Sequence, residues 1–344
     1  MAEPRHSGAF RRAVVMGDGG WGTALALLLL RRGLEVTLWG NSPEYVEELQ
    51  RKRENLRYLP GVKLPERLRL CADPSMACEN ADLLVSATPT QYLRGVAARF
   101  EDVLDGETPI VSASKGLEIE TLKRPTEILF DVFGARRMCV LSGPSHAEEV
   151  AQLKPATVVA ASHDADFAAD VQDAFSGESF RVYTSTDPIG VELGGALKNV
   201  IAVAAGISDG LNLGDNAKAA LVTRGMVEIA RAGVARGARL ETFFGLAGIG
   251  DLVTTCCSRH SRNRALGEAI GRGETLESIL ARTRTVAEGV WTTKALFGPE
   301  SELANVSMPI AAEVHAVLFE GKHARDAVGD LMRREPTPEM KGLA

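Results

Sequence analysis

Cysteine is scarce and irregularly placed. The five residues Cys71, Cys78, Cys139, Cys256 and Cys257 form no Cys-x-x-Cys, and the last two are adjacent. That pattern excludes a disulfide framework and a cysteine zinc site, and it predicts a reducing compartment and no metal. Near the start of the sequence no pure apolar run is long. Ala24–Leu30 stops at Arg31-Arg32, far short of the ~18 residues that span a bilayer. It also follows a glycine-rich turn, so neither membrane insertion nor a secretory signal is expected. Positive charge is not in excess: Lys plus Arg is 39 against 45 for Asp plus Glu, a net charge of −6. A mildly acidic chain has no general pull towards nucleic acid or anionic membrane, so any anionic ligand needs a local basic cluster. Aromatic residues are only 5% of the sequence, whereas glycine is plentiful at 34, a balance that suits packed helices and strands joined by tight turns. Asn305-Val306-Ser307 matches a glycosylation acceptor by chance in such a context.

At about 150 residues per domain, a chain of 344 predicts two domains. Strand-like runs occur at Arg12–Met16, Glu35–Trp39, Leu68–Cys71, Leu83–Ala87, Pro109–Ala113, Met138–Leu141, Ala156–Ala161 and Ser179–Tyr183. Helical stretches at Ala24–Leu30, Pro43–Arg53, Gln91–Phe100 and Arg124–Phe133 lie between them. That alternation predicts an α/β domain over residues 12–189, a doubly wound, Rossmann-type parallel sheet. From Gly190 the pattern turns wholly helical: Val191–Gly206, Ala217–Ala232, Arg262–Gly271, Thr275–Arg282, Val290–Phe297 and Pro309–Phe319. An all-α domain is therefore expected over 190–334, with residues 1–11 and 335–344 as loose tails.

The first strand runs into Gly17-Asp18-Gly19-Gly20-Trp21-Gly22-Thr23-Ala24. This is Gly-x-Gly-x-x-Gly placed after a strand and opening a helix, the context in which it binds a dinucleotide pyrophosphate. Gly17 would permit the tight turn, Gly19 the approach of backbone to phosphate, and Gly22 the packing of helix on strand. NAD-selecting folds usually carry Asp or Glu at the end of the second strand. Here Leu38-Trp39-Gly40-Asn41-Ser42 supplies no carboxylate. Asn41 and Ser42 suit a hydroxyl or a 2′-phosphate, so NADP is expected to be accepted alongside NAD.

Polar residues in apolar places mark the chemistry. In the segment Gly190–Gly206, Lys198 and Asn199 interrupt a helix that is apolar on nearly every face. A lysine enclosed there is paired or loses its proton, and burial lowers its pKa towards the range of a general acid. Lys115, in Ser114-Lys115-Gly116-Leu117, stands just past a core strand, at the edge where such sheets hold ligands. Ser142-Gly143-Pro144-Ser145 follows another strand, and the neighbouring His146 reads as structural. Asp251 is a lone carboxylate in the glycine-rich run Phe244–Thr255, either a helix cap or a counter-charge for a buried lysine. Ser261-Arg262-Asn263-Arg264 is a dense donor cluster able to hold a phosphate.

With Tyr58-Leu59-Pro60, Ser114-Lys115-Gly116-Leu117-Glu118, Gly194-Gly195-Ala196-Leu197-Lys198-Asn199-Val200, Gly250-Asp251-Leu252 and Gly321-Lys322-His323-Ala324-Arg325, these motifs resemble the bacterial and plant-type NAD(P)-dependent glycerol-3-phosphate dehydrogenases over residues 12–334. The resemblance implies reversible reduction of dihydroxyacetone phosphate to sn-glycerol 3-phosphate with NAD or NADP, in the cytoplasm, for phospholipid synthesis. It implies Lys198 as the proton donor and acceptor, assisted by Lys115 and Asp251. Substrate would be held by Lys115, Gly143, Ser145, Lys198, Asn199, Asp251, Thr255, Ser261, Arg262 and Asn263. Besides Gly17, Gly19 and Gly22, the cofactor would be lined by Gly20, Trp21, Asn41, Ser42, Tyr58, Lys115, Ala147, Arg262, Val286 and Glu288. A homodimer is implied as well. Two positions depart from the family pattern: Gly20 replaces a small Ser or Ala, and Asn41 stands where Arg or His is usual. Two rival functions also fit these residues. One is a 3-hydroxy-acid dehydrogenase, which also places a lysine in a Gly-Gly helix; the other is a nucleotide-sensing module without catalysis.

Overall fold

The computed structural model describes residues 8–282, 287–299, 301–303, 305–339 and 342. The chain divides into two compact units: Met1–Ser114 with Pro125–Pro188, and Lys115–Arg124 with Ile189–Ala344. The sequence suggests one contiguous cut at 189/190, but residues 115–124 leave the first unit early. The reason is apolar: Leu117 and Leu122 are buried in the core of the second unit.

The first unit alternates strand and helix as the apolar runs dictate. Its strands are β1 (Arg12–Met16), β2 (Glu35–Trp39), β3 (Glu54–Asn55), β4 (Leu59–Lys63), β5 (Arg69–Cys71), β6 (Leu83–Ser86), β7 (Ile110–Ser112), β8 (Met138–Ser142), β9 (Ala156–Ala161) and β10 (Phe180–Ser185). Its helices are α1 (Gly20–Arg31), α2 (Pro43–Lys52), α3 (Pro74–Cys78), α4 (Thr90–Ala98), α5 (Pro125–Phe133), α6 (Ala147–Ala151) and α7 (Ala165–Phe175). β3 and β4 form a small hairpin, and the other strands pair in the order β10-β9-β8-β7-β6-β1-β2-β5. Ala13 and Val15 enter one apolar cluster, and Val14 and Met16 enter another. Burial on both faces is why these strands read as unbroken apolar runs rather than alternating ones.

Two expectations need correction. The sheet is not parallel throughout, because β8 and β9 pair antiparallel, with Val140 opposite Ala161. Only α6 lies between them, and its five residues rise about 7 Å, too little to carry the chain back along the sheet for a parallel re-entry. Nor are residues 8–11 a loose tail. Phe10 is buried edge-on against Phe167, and the Arg11 and Arg12 amides donate to the Asp82 carboxylate.

The second unit is helical: α8 (Pro188–Gly210), α9 (Asp215–Ala235), α10 (Asp251–Cys257), α11 (Arg262–Gly271), α12 (Leu276–Arg282), α13 (Glu288–Leu296), α14 (Pro309–Phe319) and α15 (Ala324–Arg333). α8 is long and apolar enough to cross a membrane by composition, but 94% of its apolar window is buried inside the protein, as befits a core helix. Its Glu192 carboxylate, almost fully buried, pairs with the Arg124 guanidinium at 2.5 Å. This bridge fastens the end of the 115–124 segment to α8, and Lys115 begins that segment. Removing one member of a buried pair leaves the other charge enclosed and short of its partner. Arg124→Ala is expected to destabilise the protein by about 3 kcal/mol, read from the urea midpoint, and a loss below about 1 kcal/mol would show the bridge to be incidental.

Candidate active site

In the first unit, the glycine turn after β1 has the backbone the sequence predicts. Gly17 takes φ +122°, and a side chain there would press on the Ala87 backbone at the end of β6. A Cβ on Gly22 would lie 1.9 Å from the Gly17 carbonyl oxygen, so any larger residue would force the turn open. Gly19, by contrast, has open space on its side-chain side, which is where a phosphate group needs to approach. Gly20 lies against the Tyr58 carbonyl and the Ala147 methyl group, so the turn, the β3–β4 hairpin and the start of α6 meet there. The Trp21 indole N–H is buried in this turn without a hydrogen-bond partner. A free strand-to-helix turn, open space at Gly19 and an unmatched donor all fit a dinucleotide. Gly17, Gly19, Gly20, Trp21, Gly22, Tyr58 and Ala147 are the residues that would hold it.

Two residues at this turn escape sequence reading. Asn55 is fully buried and ties the turn to the hairpin. Its amide nitrogen donates to the Asp18 carbonyl at 2.8 Å and to Thr23 Oγ1 at 2.7 Å. Its Oδ1 accepts from the Tyr45 hydroxyl at 2.6 Å and from the Tyr58 amide at 3.1 Å. Asparagine three residues before Tyr58 was the only local signal. The other is Asp18, whose carboxyl packs on Gly40, so that a Cβ on Gly40 would lie 2.4 Å from Asp18 Oδ2. Burial pushes the Asp18 pKa up to about 6, against the opposing pull of its own backbone amide and of Arg57. A carboxyl therefore does stand at the end of β2, supplied by the turn after β1 rather than by β2 itself.

At that same end Ser42 caps α2: its Oγ accepts from the Tyr45 amide at 3.2 Å and its hydroxyl donates to Glu44 at 2.7 Å. Asn41 accepts a hydrogen bond from Arg99. Further along the sheet, Gly143 takes φ +146°, with no room for a side chain against Val158, and Ser145 Oγ donates back to the Gly143 carbonyl at 2.9 Å.

In the second unit the lysine of α8 meets its counter-charge. Gly194, one helical turn before Lys198, brings α8 so close to the next segment that a Cβ would lie 2.6 Å from the Ala247 carbonyl. That segment, Leu246–Gly250, winds as a π-type turn with Gly248 off helical geometry, and it delivers Asp251 at the start of α10. Isolated π-turns of this kind recur at functional sites. Lys198 Nζ donates to Asp251 Oδ1 at 2.6 Å and to Thr255 Oγ1 at 2.7 Å. Lys115 Nζ donates to the other carboxylate oxygen, Oδ2, at 2.8 Å. One buried carboxylate thus sits between two ammonium groups, Lys198 enclosed and Lys115 one-fifth exposed.

Charge follows from that enclosure. Desolvation drives the Lys198 pKa down to about 8; Asp251 pulls it back up, and Lys115 adds to the fall. Desolvation pushes Asp251 up as well, but the Lys115 and Lys198 ammoniums outweigh it and hold the carboxyl below its usual range. The result is an ammonium held less firmly protonated than on a free lysine, beside a carboxylate that stays ionised.

The remaining expected residues divide by role. Asn199 and Asn263 are buried and bonded to each other at 2.9 Å; Asn263 Oδ1 also accepts from the Gly289 amide, so the pair joins α8, α11 and α13. Ser261 caps α11 by accepting from the Arg264 amide. Arg264 is neutralised by Asp209 and Glu268, whereas Arg262, at the first position of α11, is exposed. The cluster that reads as a single donor patch therefore splits, leaving Arg262 as its outward cation. Glu288 opens α13 and is half-buried; Val286 lies outside the described residues. Among the described residues no group of His, Cys, Asp or Glu could hold a metal ion.

The profile described as NAD-dependent glycerol-3-phosphate dehydrogenase N-terminus matches residues 12–168, and its C-terminus counterpart matches residues 187–329. A glycerol-3-phosphate dehydrogenase (NAD(P)+) of Chlorobium phaeobacteroides is 50% identical over 332 residues, covering 96% of this chain and 99% of that protein. One from Bacillus pumilus is 47% identical, covering 97% of both chains. The crystal structure of glycerol-3-phosphate dehydrogenase from Coxiella burnetii superposes with a TM-score of 0.90 at 38% identity, covering 94% of this chain and 99% of that one. The chain belongs to the NAD-dependent glycerol-3-phosphate dehydrogenase family.

Proposed function

We propose that the protein interconverts dihydroxyacetone phosphate and sn-glycerol 3-phosphate, with Lys198 as the group that gives and takes the proton on the substrate oxygen. The observation that carries this reading is the enclosed Lys198 ammonium, held by Asp251 and Thr255 beside Lys115. A dihydronicotinamide dinucleotide bound at the glycine turn supplies the hydride. Adding a hydride to a ketone builds negative charge on oxygen, and a desolvated cation that can also release a proton meets both needs. Lys198 donates that proton from Nζ. Lys115 keeps the local potential positive, favouring release, and Asp251 holds both ammoniums at fixed distances. Thr255, whose hydroxyl donates to the Asp251 backbone carbonyl at 2.6 Å, accepts from Lys198 and fixes its direction.

The exposed Arg262 at the start of α11 suits the substrate phosphate, which a guanidinium binds through two parallel hydrogen bonds. Binding energy from that remote group positions the carbonyl. Asn199 and Asn263 support this arrangement by fixing α11 to α8 rather than by offering free amides. The sequence resemblance further supports a homodimer in the cytoplasm that supplies the glycerol phosphate of phospholipids.

The direct test is consumption of NADPH or NADH by the purified protein when dihydroxyacetone phosphate is added; a protein active only on 3-hydroxy acids would refute the assignment. Lys198→Met should lower kcat by about 10²–10⁴-fold with nucleotide affinity retained, and a near-normal kcat removes Lys198 from the proton step.

The pH profile has a fixed sign. Ketone reduction needs the ammonium, so its kcat falls as pH rises through about 8. Alcohol oxidation needs the free amine, so its kcat rises over the same window. Parallel profiles in the two directions would contradict the role.

Asp251→Asn removes the counter-charge and is expected to cost about 3–5 kcal/mol at pH 7. Without it the Lys198 pKa is depressed further in the folded state, so the unfolded chain binds more protons and stability rises with pH. Wild-type Lys198 itself titrates near 8, so the deficit against wild type should shrink as pH rises towards about 8 and level off above it, and a deficit independent of pH below 8 would sink the charge argument.

A further inference from the structure

The adenosine end of the dinucleotide lies, in folds of this type, at the carboxyl end of the second strand. In this chain the side chains of that strand end offer no formal charge: Trp39 is buried, Gly40 carries none, and Asn41 and Ser42 are neutral. A cation is nonetheless placed there from elsewhere. Arg99 follows the last residue of α4, and its guanidinium lies 4.9 Å from the centre of the Trp39 ring. It also donates to Asn41 Oδ1. The contact with the ring and the hydrogen bond hold in place the end of a long side chain that is exposed and would otherwise be free to move.

Both partners of Arg99 are neutral. Among the described residues no carboxylate lies within ion-pair distance of it, although many other arginines of the chain are paired. An oriented arginine without a counter-ion, at the place where a nucleotide ribose belongs, is suited to a dianionic group. The neighbouring Ser42 is less available for that task, because its Oγ caps α2 and its hydroxyl donates to Glu44. Two acidic groups oppose an anion here, Glu44 at the start of α2 and Asp18 against Gly40. A second phosphate at this end therefore needs a cation of its own.

We propose that Arg99 is the specificity residue for the adenosine end of the cofactor, its guanidinium binding the 2′-phosphate of NADP from α4 where β2 supplies no charge. Asn41 is then the buttress that aims the guanidinium rather than the group that reads the phosphate, and Trp39 is the platform beneath it. This assignment rests on the dinucleotide reading of the glycine turn and deepens it. It assigns to a residue outside β2 and its following turn the discrimination that the β2 end does not itself encode.

The test uses adenosine fragments, so it does not depend on turnover of any substrate. Affinities for 2′,5′-ADP and 5′-ADP are measured by calorimetry on the wild-type protein, on Arg99→Gln and on Arg99→Lys. The wild-type protein should prefer 2′,5′-ADP. Arg99→Gln should lower the ratio of the two affinities by about tenfold, the scale of one charge-assisted pair, and Arg99→Lys should recover part of it. The ratio of kcat/KM for NADPH to that for NADH should fall in parallel. A wild-type protein that does not distinguish the two fragments overturns the proposal. So does a preference that survives intact in Arg99→Gln, which would mean the arginine stacks on adenine or braces Trp39 without touching the phosphate. Failure of both fragments to bind would instead refute the dinucleotide reading itself.

Discussion

A positive charge enclosed by apolar helix is stable only while a negative one is held against it. In the second unit that constraint falls on the bond between Lys198 and Asp251, and much of the local architecture follows from it. Desolvation of a lone ammonium is severe enough that it would discard its proton or unfold its surroundings. Asp251 prevents this by pulling the lysine pKa back up against desolvation, the largest influence on it. Lys115 shares the same carboxylate and adds to the fall. The triad thus leaves one proton more loosely held than on a free lysine, while the carboxylate between the two cations remains ionised.

The backbone devices around the triad have the same purpose. Gly194 lets α8 approach the Ala247 carbonyl, and the π-type turn that follows aims the first residue of α10 at the lysine one helical turn further on. Leu117 and Leu122 bury the short 115–124 segment in the helical core, and the Arg124–Glu192 bridge closes its far end, so Lys115 starts a segment that cannot drift. A rigid frame of this kind fits electrostatic stabilisation, in which the site does not reorganise as charge develops.

Much of this was legible in the sequence because it rests on local or periodic signals. The strand–glycine–helix context gave the turn its meaning, and an apolar helix interrupted by Lys198 announced a buried charge. Asp251 carried less information alone: a carboxylate in a glycine run is as good a cap as a counter-ion, and only the fold decides which. Contacts that join distant segments left no local trace. Asn55 clamping the turn, Asp18 reaching Gly40, and Arg99 arriving at Asn41 all depend on side-chain direction across neighbouring elements. The antiparallel entry of β9 leaves no trace for a related reason, since strand composition does not reveal which way a strand runs. The Ser261–Arg264 cluster shows the opposite error: four adjacent donors look like one site, yet helix geometry turns Arg264 into an ion-pair network and leaves Arg262 outward.

The claim on which the account turns is a lysine amine whose proton affinity is lowered by enclosure. Titration of the lysine side-chain nitrogens by NMR, with Lys198 assigned by its absence in a substituted protein, reads that affinity without reference to any reaction. The Lys198 amine is expected to titrate near 8. A Lys198 signal that titrates at the ordinary value of 10.5 would contradict it.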